Sequence, residues 1–142
     1  MSIFKSTLII SGFFSVALNA HANTNEHPLT PHTAEYQVNY GSIKLGKARY
    51  QLPAPEDNLY QYRFDSDISL LVLWDKRTVI STFKKQGEQL TPMRYSHSRS
   101  GTGSDYQEQA AYVLDQKLVH SHYKDERAKF PYTPDLYDPL MA

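Results

Sequence analysis

The stretch Ala34-Glu35-Tyr36-Gln37-Val38-Asn39-Tyr40 decides the fold. Tyr36, Val38 and Tyr40 recur every second residue with polar residues between them, and only a strand puts such a set on one face. Moving outward, Gly41-Ser42 makes a turn, and Ile43 and Leu45 restart the alternation. Gly46 then breaks the phase, because Ala48, Tyr50 and Leu52 fall on the other parity; a one-residue slip at glycine predicts a β-bulge. Pro53-Ala54-Pro55-Glu56-Asp57-Asn58 is a loop, after which Tyr60, Tyr62 and Phe64 supply another half-buried strand.

Further along, Thr78-Val79-Ile80-Ser81-Thr82-Phe83 is β-branched and reads as a strand, followed by a turn at Gly87. Residues 90–98 form the next strand, with Met93, Tyr95 and His97 on one parity and Pro92 restricting it to an edge or a first position. A turn-rich segment, 98–105, leads into a long hairpin made from 106–114 and 118–124. Asp138-Pro139 reads as a helix cap with proline at the first helical position. Such a helix start at the end of the sequence makes a shortened version of a longer protein the expectation. Ile68-Ser69-Leu70-Leu71-Val72-Leu73-Trp74 has six apolar residues of seven and no clean period, so a buried helix, a central strand and an exposed hydrophobic edge all fit.

At the other end, Lys5 precedes an apolar run over 7–18 that closes on Ala20-His21-Ala22. This pattern is a secretory signal cleaved after Ala22, and it places the mature chain in a bacterial periplasm. The run falls short of the ~20 residues a membrane span needs, so the membrane enters only through export. Residues 23–33 are a flexible lead-in, and 34–142 a single antiparallel β domain with little helix. Cysteine is absent, which removes disulfides and a thioether lipid anchor. With Lys5 lost, 14 basic side chains face 15 acidic ones in no long run of either sign. That balance argues against nucleic acid and anionic membrane surfaces as partners.

Few residues invite chemistry. His120 and His122 are two apart on a strand and share a face; with His97 nearby they are the candidates for a metal. Solvated positions on a sheet are the simpler account, and no cysteine or carboxylate cluster completes a site. Gly101-Thr102-Gly103 lacks the lysine of a nucleotide loop and lies between strands, with Arg99 and Asp105 placed to pair across it. Asp65 and Asp67 read as solvated residues at a strand end. There is no Gly-x-Ser-x-Gly elbow and no His-Glu-x-x-His helix, so neither an enzyme nor a cofactor is expected.

The secretory signal, Tyr36-Gln37-Val38-Asn39-Tyr40, the Gly46 step, Asp75-Lys76-Arg77 with Ser81, Leu90-Thr91-Pro92-Met93-Arg94-Tyr95, Arg99 to Asp105, and Asp135-Leu136-Tyr137-Asp138-Pro139-Leu140 together resemble the exported bacterial proteins of the domain of unknown function 3108 family. The likeness covers roughly 34–140. It implies a mainly β architecture similar to the periplasmic lipoprotein carriers, a curved antiparallel sheet forming an incomplete barrel with an apolar hollow. It implies no biochemical activity. Eleven tyrosines suit either the core of such a sheet or the lining of its hollow. The expected ligand-binding set is Tyr36, Tyr40, Tyr60, Tyr62, Leu70, Leu71, Leu73, Trp74 and Tyr95, with a lipid-like ligand or an envelope protein as partner. The rival expectation is an envelope hydrolase or metal-binding protein that uses His97, His120 and His122.

Overall fold

The computed structural model describes residues 29–142. The secretory signal over 1–22 and most of the expected lead-in lie outside the described residues. Eight strands follow one another: β1 His32–Tyr40, β2 Ile43–Leu52, β3 Leu59–Leu70, β4 Leu73–Gln86, β5 Gln89–Gly101, β6 Tyr106–Val113, β7 Leu118–Tyr123 and β8 Glu126–Pro131. They form one antiparallel sheet in sequence order, open between β1 and β8. Helix is confined to a single 3₁₀ turn, Leu114–Gln116, among the described residues. The fold is therefore mainly β and is not closed into a barrel.

Gly41 and Gly87 occupy the expected turns, both at φ 58. The bulge sits where the phase change put it: Val38 pairs with Gly46 and Asn39 with Lys44, leaving Leu45 over. A Cβ on Gly46 would lie 1.9 Å from the carbonyl oxygen of Asp67, so only glycine lets β2 approach β3 there. A second bulge in β5 sets Phe83 opposite Pro92 and leaves Met93 over. Pro92 suggested an edge strand or a first position, and neither holds: it is the fourth residue of an inner strand. The strand pairs with both neighbours, but its contact with β6 begins at Arg94, so the missing proline N–H falls outside that ladder.

Several expectations need correction. β1 begins two residues earlier than the sequence suggested. Asp65 and Asp67 lie inside β3, not at its end, because the strand runs on to Leu70. The apolar segment 68–74 is the tip of the β3–β4 hairpin, with Leu71 and Val72 as its turn. Arg99 does not pair with Asp105: its Nε donates to Asp75 at 2.5 Å and its Nη1 to the carbonyl of Ser104, while Asp105 accepts from the Gly101 N–H at 3.0 Å. Asp138 caps as expected, its Oδ1 accepting from the N–H groups of Leu140 and Met141, yet one turn forms and no helix.

Alternation gives the sheet two unlike faces. Register places Tyr50, Phe64, Val79, His97 and Glu108 on one, here the aromatic face. Its core is Leu52, Tyr60 and Phe83, the two rings stacked at 5.5 Å, with Leu29, Leu90 and Met141 packed against them. The segment after β8 crosses this face. Tyr132 meets Tyr112 edge-on at 6.0 Å, and the buried Asp138 accepts from Ser81 Oγ at 2.5 Å.

Candidate functional site

Beyond the residues that this segment covers, β1 to β4 leave their aromatic face open. Tyr36 stands edge-on to Tyr50 at 6.1 Å, and Tyr50 lies 4.7 Å from Phe64 and 5.8 Å from Tyr62. These rings line a recess of about 960 Å³, together with Val38, Ile68 and, at one end, Ser66, Asp75 and Arg77. Such a volume lies within the range of small-molecule sites, and an apolar wall with a few convergent polar groups is their usual make-up. Tyr36 is 56% exposed, an unusual state for a large ring on the inner side of a sheet.

The polar end is electrostatically fixed. Asp75 accepts from Arg77 at 2.7 Å and from Arg99 at 2.5 Å, and the Arg77 bond above all holds its carboxyl below the usual range. Asp75 and Arg77 are the charged residues that line this end of the recess, one of each sign, and Arg99 holds Asp75 from outside the lining. His97 lies close by, its ring 5.1 Å from Tyr106; burial pushes its pKa down, and the Arg77 cation adds to that. Burial likewise raises the Tyr62 phenol.

Two hairpin tips project from the same end of the sheet. Gly46 pairs with Ile68, and the β1–β2 and β3–β4 turns lie a few residues beyond that pair on the same side. Tyr40 and Ile43 are exposed at one tip, and Leu70, Leu71, Val72, Leu73 and Trp74 at the other. Leu71 is 96% exposed at φ 56, a left-handed conformation that disfavours a branched side chain. Thr102 braces this tip: its N–H donates to the Trp74 carbonyl at 2.8 Å, and its Oγ1 accepts from the Trp74 N–H at 3.0 Å. Gly101 permits the approach, since a Cβ there would meet the Trp74 oxygen at 2.3 Å.

The expected ligand-binding set therefore divides. Tyr36 and Tyr62 line the recess, while Tyr40, Leu70, Leu71, Leu73 and Trp74 lie at the tips. Tyr60 and Tyr95 do neither: at 2% and 6% exposure they are packed into the sheet, Tyr60 under Phe83 and the terminal segment. Tyr50, Phe64, Ile68 and Arg77 line the recess without having been expected to. The Gly46 slip was the signal for Tyr50, because it brings that ring into phase with Tyr36.

The three histidines are not brought together. His97 pairs through Glu108 on the aromatic face, whereas His120 pairs through Ala111 on the opposite one. Among the described residues no group of three metal-ligating side chains gathers. No described helix is long and apolar enough to cross a membrane. Compared with protein-family models, curated proteins and solved structures, the chain matches none. Nothing in those comparisons points to an enzymatic activity.

Proposed function

We propose that this chain is an exported, non-enzymatic binding domain of the bacterial periplasm that takes a hydrophobic or amphipathic ligand along the aromatic recess. The observation that carries the reading is the open row of Tyr36, Tyr50 and Phe64 beside a recess of about 960 Å³. An apolar chain laid on those rings removes surface from water at about 25 cal/mol per Å², before the cost of ordering it. Arg77, at the end of the recess, suits an anionic head on such a ligand. The apolar hairpin tips extend the same surface toward a lipid phase or an envelope protein. The resemblance to the domain of unknown function 3108 family, with its carrier-like hollow, agrees with this use. The separation of His97 from His120 and His122 weighs against the rival, an envelope hydrolase or metal-binding protein that uses all three.

The test is titration of the purified protein with a dansyl-labelled fatty acid. Saturable binding is expected, with Tyr36→Gln/Tyr50→Gln weakening it at least about tenfold, a loss of ~1.4 kcal/mol. Tyr123→Gln, outside the recess, leaves affinity unchanged. Absence of saturable binding, or equal affinity in the recess variant, refutes the reading.

A further inference from the structure

The face opposite the aromatic one carries a second recess, of about 780 Å³, spanning β4 to β8. Register defines its wall. Arg94, Ala111, His120 and Lys129 are cross-strand partners in one row. Ser96, Gln109, His122 and Arg127 make the neighbouring row, two residues along each strand. Paired strands lie about 4.8 Å apart, so two guanidinium groups, an ammonium and two imidazoles share one surface.

Three observations bear on what that surface meets. The whole chain balances 15 Lys and Arg against 15 Asp and Glu, yet no carboxylate among the described residues lines this recess. The ion pairs of the described residues use Arg49, Arg63, Lys76, Arg77 and Arg99, leaving Arg94, Arg127 and Lys129 without one. Finally, Nε2 of His120 is buried with no hydrogen-bond partner, and a buried polar atom in that state calls for a ligand or an equivalent explanation. Unpaired cations repel a metal ion and attract an anion. Arginine forks match the several oxygens of a phosphate, and two rows of donors suit more than one charge. The recess is far larger than a single phosphate, and Ile80 and Ala111 give it an apolar part for an organic body.

We infer that this second recess binds a phosphorylated molecule carrying at least two negative charges, held by Arg94, Arg127 and Lys129 with Nε2 of His120 as a further polar contact. The site is on the other side of the sheet from the aromatic recess and does not depend on the reading given for it.

The experiment uses the purified protein and two probes, inorganic tripolyphosphate followed by calorimetry and cardiolipin-containing vesicles, whose headgroup carries two phosphodiesters, followed by co-sedimentation. Arg94→Gln/Arg127→Gln/Lys129→Gln removes the proposed contacts. Lys44→Gln/Lys47→Gln/Arg49→Gln removes the same charge from β2, and circular dichroism checks that both variants fold. The expected result is saturable binding of at least one probe, weakened at least about tenfold by the recess variant and less than about twofold by the β2 variant. Tripolyphosphate binding identifies a free phosphorylated compound, and binding to vesicles alone identifies a lipid headgroup. In wild type, the bound probe shifts the imidazole resonances of His120 and His122. Failure of both probes to bind, equal loss in the two variants, or binding that leaves those resonances unmoved overturns the inference.

Discussion

Asp138 is 1% exposed, and burial pushes its carboxyl pKa up despite the bonds from Ser81 and the Leu140 and Met141 N–H groups. A carboxyl that holds its proton more tightly when folded stabilises the fold below its unfolded value of about 3.8. That contribution disappears as pH rises through the raised folded value. Asp65 and Asp75 have the opposite sign: Arg63 bonds hold Asp65 low and Arg77 bonds hold Asp75 low, so their contributions are lost on acidification. They cancel when Asp138→Asn is compared with wild type. Asparagine keeps the acceptor for the two N–H groups and can donate to Ser81 Oγ, so the variant should melt at or above wild type at neutral pH. The gap should close in acid. Asp138→Ala leaves those N–H groups and the buried Ser81 hydroxyl without their acceptor and should lose about 1–2 kcal/mol, read from urea midpoints. Gly46→Ala acts through the backbone instead. Its Cβ would force β2 away from Asp67, and a loss of about 1–3 kcal/mol is expected by the same measurement.

At the level of elements, legibility follows how local each signal is. β1 and β3 could be read because Tyr36, Val38, Tyr60 and Tyr62 alternate with polar residues, and β2 because the Gly46 slip is visible in its own sequence. β8 could not. All six of its residues are exposed at the sheet edge, so charge and apolarity carry no period there; that charge also protects an unpaired edge. The β3–β4 turn was hidden because a two-residue hairpin usually announces itself with glycine or asparagine, and this one uses Leu71-Val72. Breaking that rule costs conformational energy and leaves a leucine in water. Local violations of this kind are expected where a surface serves binding. Leu71→Asn should therefore stabilise the fold by about 0.5–1 kcal/mol, since asparagine tolerates a positive φ. It should also weaken binding of the dansyl-labelled fatty acid if the tip adds to the aromatic surface. A variant that is more stable and binds equally well would confine the ligand to the recess.

Across the whole molecule, the division of the tyrosines depends on distant segments. Tyr60 and Tyr62 have the same parity on β3, yet only Tyr60 is fully buried, within a cluster against which Tyr62 and residues at both ends of the described chain, Leu29 and Met141, pack. No local pattern could tell them apart. Burial of two other tyrosines, Tyr95 and Tyr112, has a consequence for titration. Desolvation raises both phenols to about 12, with the Asp138 carboxylate acting in the same direction on both and Glu108 on Tyr95. A phenol whose folded pKa is raised contributes stability that is complete below its unfolded value of about 10 and lost as pH climbs toward 12. Tyrosinate absorbance should therefore show a late phase from Tyr95 and Tyr112, and that phase should coincide with loss of the β signal in circular dichroism. Tyr95→Phe/Tyr112→Phe removes the two phenols while keeping their rings. It should move alkaline unfolding to higher pH, whereas a single early phase with the sheet intact would mean that these two rings are open to water.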